Sequence, residues 1–250
     1  MKKIEVSYKK AGLFNRHHTG YIPESWDEIT DVQLIAIAEL YLHERTQLQA
    51  VAVLMDLPLR VVKKFSQVEL YHILQELAFI TDYRPRNCFI ISNIRGLMAP
   101  RHKLDGITFA QFIFIENYFE QNLGQVSEES LNLFVAHLYL RQNEAFDHSI
   151  CTARASQRII TTIPLQTRIA ILINYRLIRQ WLSNVYPVIF SNTDTKTVVT
   201  SRKNPSNQWI KVYESIVGED LIHHDEYGKQ QLHVVLKYIT RKIKENARTK

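Results

Sequence analysis

The run Asp27-Glu28-Ile29-Thr30-Asp31-Val32-Gln33-Leu34-Ile35-Ala36-Ile37 is echoed 78 positions later by Asp105-Gly106-Ile107-Thr108-Phe109-Ala110-Gln111-Phe112-Ile113-Phe114-Ile115. In both copies Thr-x-x-Gln fits a capping box, in which the Thr oxygen accepts from an orphan first-turn amide and the Gln reaches back to the cap. Both stretches therefore predict a helix start, and each helix runs on to an aromatic, Tyr41 in one and Tyr118-Phe119 in the other. One device opening two similar helices predicts a mainly α protein, a helical bundle of two loosely repeated helical units.

Working outward from the first copy, Ile4, Val6 and Tyr8 alternate with polar residues, and a second extended piece around Tyr21-Ile22 pairs with them across a loop from Gly12 to Gly20. This predicts a small N-terminal β-hairpin. Trp26, ahead of the cap, staples the helix entry, and Leu34, Ile37, Ala38 and Tyr41 recur at helical spacing. Thr46 opens a second helix ending near Pro58, a short helix carries Val61, Val62 and Phe65, and Ser66-x-x-Glu69 is another capping box. Residues 1–81 are thus read as hairpin plus helical unit.

From Asp82 to Leu104 helical spacing breaks around Pro85, Gly96 and Pro100, so 82–104 reads as a linker holding one extended element at Cys88-Phe89-Ile90-Ile91. Residues 105–250 form the second helical unit. A helix from the second copy is stopped at Gly124, and Ser127 caps the next. The longest apolar helix runs from about Leu165 to Val185 and ends at Tyr186-Pro187. Asn192 to Ser206 reads as a polar loop. A helix around Trp209 ends at Gly218, and a last one buries Leu232, Val235, Leu236 and Ile239 ahead of a basic tail.

Composition narrows the function classes. The 250 residues carry a net charge of +6 and 46% hydrophobic residues, enough for a real core. Seven glycines include no G-x-G-x-x-G or Walker-type loop, and the isolated Cys88 and Cys151 form no zinc or disulfide framework. The amino terminus lacks a signal-peptide core, and no apolar run approaches the roughly 18 residues of a membrane span. The expectation is a soluble product of a reducing compartment that needs no membrane and no cofactor. The charge excess lies within residues 141–203, which hold nine Lys/Arg against three acids, while the rest of the chain balances at 22 of each. That concentration predicts a basic face for nucleic acid or an acidic partner.

Two sets of residues carry that prediction. Arg168, Arg176 and Arg179 fall within about 80° on a helical wheel at 100° per residue, and Arg154 and Arg158, four apart, share a second face. These five are the candidate partner- or nucleic-acid-binding residues, against the alternative of a solvated helix face. Val51 to Phe65 has helix-turn-helix spacing with Arg60, Lys63 and Lys64 on its recognition helix, although Asp56 stands where such turns favour Gly. Two helices packed across a short Pro-containing turn would look the same.

His17-His18 and His223-His224-Asp225-Glu226 are adjacent residues whose side chains diverge, so polar loops are expected rather than metal ligands. His43, His72 and His137 sit in helical patterns as packing or surface residues. With no H-E-x-x-H, no G-x-S-x-G and carboxylates placed as first-turn acids, no enzyme activity is expected.

Ile22-Pro23-Glu24-Ser25-Trp26-Asp27-Glu28-Ile29-Thr30-x-x-Gln33 resembles the P-x-S-W-x-E-[LIV]-T-x-x-Q opening of small helical proteins of bacteriophages and prophages, particularly those of Bacteroidetes hosts. Some of these are tail assembly chaperones or tail-associated structural proteins. Ala170-Ile171-Leu172-Ile173-Asn174-Tyr175-Arg176, Tyr186-Pro187-x-x-Phe190 and Trp209 are similar as well. The resemblance implies a non-enzymatic role in virion tail assembly or structure, in the host cytoplasm or the virion, through contacts with other phage structural or tail proteins. It supplies no catalytic residues. The duplicated Asp-x-Ile-Thr segment and the basic excess are not part of what the resemblance implies. A DNA-binding regulator or nucleic-acid packaging component is the alternative.

Overall fold

A capped threonine opens each of the two repeated helices. In the computed structural model, which describes residues 1–10, 14–190, 208–218 and 224–248, Thr30 and Gln33 close a full capping box. Thr30 N–H donates to Gln33 Oε1 at 2.9 Å, and Gln33 N–H donates to Thr30 Oγ1 at 3.3 Å. Thr108 receives the Gln111 amide at 3.2 Å, but the return bond is not formed. The second copy is therefore half of the expected box. The residues flanking Thr108 are held instead as a strand-like bridge, Phe109 N–H donating to Gln230 and Leu232 N–H to Ile107.

The chain is mainly α-helical with a small N-terminal antiparallel hairpin and divides into two compact units, Met1–Arg86 with Leu165–Leu177, and Asn87–Pro164 with Ile178–Lys250. In the first unit β1 (Lys2–Lys10) pairs with β2 (Phe14–Ile22) from Lys2↔Ile22 to Lys10↔Phe14. β2 takes up most of the stretch expected to be loop, because Asn15-Arg16-His17-His18-Thr19 has no apolar alternation to betray a strand. His17 and His18 accordingly lie on a strand, and Ser7 Oγ sits 2.6 Å from His17 Nδ1.

Helices α1 (Asp31–Tyr41), α2 (Gln47–Leu54), α3 (Leu59–Val62) and α4 (Gln67–Glu76) follow. Their core is Leu34, Ile37, Ala38, Val51, Leu54, Met55, Val61 and Val62, all buried. Trp26 is buried at the entry, donating Nε1–H to the Asp82 carbonyl at 2.9 Å and meeting Phe79 edge-on. The hairpin is fastened where Tyr21 N–H donates to the Met55 carbonyl. A Cβ on Gly20 would lie 2.9 Å from that oxygen and 2.7 Å from Leu57 Cγ, so only glycine allows this approach.

In the second unit, β3 (Asn93–Ile94), β4 (Leu97–Met98) and β5 (Leu140–Arg141) make a three-stranded antiparallel sheet in the order β3-β4-β5. The expected linker 82–104 is therefore corrected. Arg86 belongs to the first unit, donating to the Trp26 carbonyl and pairing with Asp27, while Phe89, Ile91, Leu97 and Leu104 are buried in the second. The extended residues that pair are 93–94 and 97–98, not 88–91. Proline and glycine removed the helical period here, yet those four apolar side chains still demand burial.

α5 (Phe109–Gly124) and α6 (Glu128–Leu138) form a helical hairpin, followed by α7 (His148–Ala155) and α8 (Arg158–Thr161). α9 (Leu165–Val185) gives its first thirteen residues to the first unit and continues into the second. Then come α10 (Pro187–Phe190), α11 (Gln208–Val217), α12 (His224–Lys229) and α13 (Leu232–Arg248). The 192–206 loop lies outside the described residues. Phe112, Phe109 and Phe190 gather around Trp209, the Phe112 ring edge-on at 4.8 Å.

The repeated motif has a second use that capping alone does not account for. Gln33 Nε2–H donates to the Leu54 carbonyl at the end of α2 at 2.8 Å, and Gln111 Nε2–H donates to the His137 carbonyl near the end of α6 at 3.0 Å. In both copies the third residue of one helix satisfies a carbonyl that the end of the next helix leaves without an intrahelical partner. Each pair must run antiparallel for this to happen. Gln33→Ala or Gln111→Ala leaves that buried carbonyl without a donor and should cost about 1–3 kcal/mol. Urea denaturation of each variant checks this, and an unchanged midpoint in both would show the bond to be dispensable.

Candidate functional site

Of the five arginines expected on a basic face, the structure places two in the core. Arg154, 2% exposed, pairs with Glu144 and donates to the Tyr139 carbonyl at 3.4 Å. Arg168 on α9 is 4% exposed. Arg179, also on α9, pairs at 2.9 Å with Glu116, a fully buried carboxylate, and its guanidinium lies 5.7 and 5.8 Å from the Phe119 and Phe190 rings. Arg176 is exposed but stacked 3.8 Å above the Tyr83 ring, which itself stacks on Trp26. Arg158 alone is exposed with no such ring or ion-pair contact. The five arginines are thus not one solvated stripe, because Arg154 and Arg168 are buried, Arg179 is tied to the buried Glu116, and Arg176 lies on the Tyr83 ring.

The helix-turn-helix residues fare similarly. Asp56 occupies the turn at φ +51°, a left-handed conformation that Asp tolerates better than most non-glycine residues. But α3 is a single four-residue turn, about 6 Å long at 1.5 Å per residue. Arg60 is on it, Lys63 caps its end, Lys64 lies beyond, and Ser66 already caps α4. All three are exposed, yet they share no recognition helix that could lie along a major groove.

α13 presents what the sequence pattern only half disclosed. Leu232, Val235, Leu236 and Ile239 are buried at spacings of three and four, as expected. The opposite face exposes Val234 (57%) and Tyr238 (40%), with the Arg241 and Lys242 cations 5.6 and 5.8 Å from the Tyr238 ring centre. Further along, Lys244 is exposed. This outward face carries apolar surface first and positive charge after it. Such residues could have been read from the sequence by continuing the helical wheel past the buried positions.

A second grouping, in the second unit, was missed because its members are far apart in sequence. His137, fully buried near the end of α6, has Nδ1 2.8 Å from the Leu133 carbonyl and Nε2 3.0 Å from His148 Nδ1. Burial, aided by the nearby charges of His148 and Arg154 and opposed by the Leu133 carbonyl, pushes its pKa down to about 4. Burial also lowers that of His148. The His148 ring stacks on Phe114 at 3.9 Å with 12° between planes, and both line a cavity of about 620 Å³. On α5, Glu120 sits one turn beyond Glu116. Burial first and the Glu116 carboxylate second raise its pKa to about 7, against the pull of Arg179.

Comparison with protein-family models, curated proteins and solved structures gives no match. The reading of these surfaces accordingly rests on their geometry. Among the described residues no helix is long and apolar enough to cross a membrane, and no group of three or more His, Cys, Asp or Glu is arranged to hold a metal ion.

Arg179→Ala would remove the guanidinium that pairs with the buried Glu116 carboxylate and should cost about 3–5 kcal/mol, whereas Arg158→Ala should stay within about 0.5 kcal/mol of the wild type. Chemical denaturation separates the two, and equal effects would reject the assignment. A second expectation concerns pH. Glu120, with its pKa raised on folding, contributes stability that is full below about pH 4.5 and lost as pH rises through about 7. His137, with its pKa lowered, contributes stability that is full above about pH 6.5 and lost as pH falls through about 4. The two slopes oppose each other in between, so Glu120→Gln should unmask a steeper loss of Tm on acidification from pH 6.5 to 4.5. A Tm profile parallel to that of the wild type would contradict this.

Proposed function

We propose that this chain is a non-enzymatic phage or prophage protein that helps to assemble or build a virion tail through protein–protein contacts. The carrying observation is the outward face of α13, where Val234 and Tyr238 lie exposed one turn apart and lead into Arg241, Lys242 and Lys244. An amphipathic helix that buries one apolar stripe and exposes a second supports helix-in-groove recognition by a partner. The positive end supports an acidic partner surface, since charge complementarity raises the encounter rate and fixes register. α4 carries another exposed pair, Val68 (66%) and Tyr71 (60%), at helical spacing. The resemblance of Ile22 to Gln33 to the opening of phage tail-associated proteins directs the reading to virion tails.

In mechanism, the partner's groove would bury Val234 and Tyr238 while the α13 cations meet acidic side chains at its rim. The work that the arginines of 141–203 were expected to do passes to α13, because Arg154 and Arg168 are buried and Arg179 is tied to the Glu116 carboxylate. The nucleic-acid alternative keeps one supporting observation, that Lys237, Arg241, Lys242 and Lys244 are all exposed on a single helix. Phosphate contacts of that kind would show a steep salt dependence through counterion release.

Tagged wild-type protein drawn from infected cells should bring down a virion or tail component, and the double substitution Val234→Glu, Tyr238→Ala should lose it with Tm unchanged. Recovery of no such component by the wild type would overturn the proposal. Titration with fluorescent single- and double-stranded DNA at low and moderate salt should show no tight binding. Tight, salt-steep binding abolished by neutralising Lys237, Arg241, Lys242 and Lys244 would favour the nucleic-acid reading.

A further inference from the structure

The cavity of about 620 Å³ in the second unit is bordered by side chains from α5, the start of α7, α11 and α12, among them Ile113, Phe114, Phe146, His148, Ile210 and Tyr213. Its size falls within the roughly 300–1,000 Å³ usual for small-molecule sites, and a single partner side chain would fill only a fraction of it. Its walls are mostly apolar and aromatic, so what distinguishes it from an ordinary surface recess is how His148 is held there.

Two constraints fix that ring. One face lies on Phe114 at 3.9 Å, and Nδ1 lies 3.0 Å from His137 Nε2. The proton positions then follow from which groups can accept. The Leu133 carbonyl has no proton to give, so His137 Nδ1–H donates to it across 2.8 Å. A buried, neutral His137 therefore carries only a lone pair on Nε2, and His148 Nδ1–H must be the donor between the two rings. A neutral His148 consequently keeps its own lone pair on Nε2, at the edge of the ring turned away from His137. That atom makes no hydrogen bond among the described residues. His137 is fully buried and does not line the cavity, whereas His148 is half-buried and does. His148, a residue of the cavity wall, thus carries a hydrogen-bond acceptor at Nε2 in an aromatic setting, locked in one tautomer by a relay that begins at a backbone carbonyl.

We propose that this cavity binds a small planar aromatic molecule bearing an N–H or O–H donor, which lies against the Phe114, Phe146 and Tyr213 rings and donates to His148 Nε2. The aromatic walls supply apolar burial and offset stacking, and the oriented His148 acceptor, held beside Asp147, Ser149 and Thr108 in the lining, supplies selectivity. A ligand of equal shape without the donor would leave that nitrogen covered and unpaired. This site is separate from the α13 face, and its occupancy does not depend on the assembly role.

The test uses the full chain with indole and 1-methylindole, which share ring and stacking area and differ in the donor. In a chemical-shift titration of protein carrying ¹⁵N-labelled histidine, indole should bind roughly two- to tenfold more tightly than 1-methylindole, the ratio one hydrogen bond produces, and should move the His148 Nε2 resonance. His148→Phe preserves the ring and removes the acceptor, so the two ligands should bind it equally, as read by ligand-detected NMR. Because that variant leaves His137 Nε2 without its donor and could unfold the site, Ile210→Glu serves as a second variant. Ile210 is 39% exposed at the cavity wall, and a carboxylate there should abolish binding of both ligands while leaving Tm unchanged. Equal affinity of the wild type for the two ligands, no saturable shift with either, or undiminished binding by the folded Ile210→Glu protein would each overturn the proposal.

Discussion

The interaction on which both halves of this structure depend is a side-chain amide reaching the end of a neighbouring helix. An α-helix finishes with carbonyls that no residue of its own can satisfy, and ending one inside a core is costly unless another element supplies a donor. Gln33 and Gln111, both buried, supply it, and each does so from the third position of the helix that runs back alongside. A glutamine there can serve its own helix through the cap oxygen and its neighbour through the amide nitrogen. Gln33 does both, while Gln111 keeps only the second bond. The arrangement fixes where α2 and α6 stop, and much is hung from those stops. In the first unit, the Met55 carbonyl just beyond α2 receives Tyr21 and seats the hairpin. In the second, Tyr139 just beyond α6 is fully buried and its hydroxyl donates to the Ile91 carbonyl at 2.5 Å.

Charge in this protein is spent largely on structure. A guanidinium is well suited to partial burial, since it is planar, weakly hydrated and able to lie on aromatic faces while pairing with a carboxylate. The arginines of residues 141–203 use each of these properties. Arg154 holds Glu144, Arg179 pairs with the buried Glu116 while its guanidinium lies near the Phe119 and Phe190 rings, and Arg176 stacks on Tyr83. Removing one member of such a pair costs far more than the pair itself contributes, because it leaves a buried charge uncompensated. What looked like a basic surface is in good part a set of internal ties. α13 carries four exposed cations, Lys237, Arg241, Lys242 and Lys244, close to exposed apolar side chains.

That redistribution bears on both proposed sites. The outward face of α13 and the His148 cavity both draw on the second unit, and both owe their chemistry to context. Tyr238 stands out because cations crowd its ring, and His148 because a relay through His137 settles which of its nitrogens can accept. Neither residue belongs to a sequence motif.

The sequence by itself determined the elements. Thr30, Thr46, Ser66, Thr108 and Ser127 announce helix starts through local hydrogen bonding, all five accept the expected amide, and the span 165–185 is legible from its apolar spacing alone. These are interactions within one or two turns, so the nearby residues suffice to specify them. It did not disclose the polar strand around His17, the packing of 87–104, or the burial of Arg154 and Arg168, since each depends on partners that the chain brings close only by folding. A helical wheel places Arg168, Arg176 and Arg179 on one side of α9 without saying what covers that side, and Arg168 ends up buried while Arg176 stays exposed. The same holds for Gln111 and for His137 with His148, residues 26 and 11 positions from the groups they bond. Local chemistry decided where helices begin, and only the tertiary structure decided which polar groups would be left for a partner, because desolvation is a property of neighbours in space.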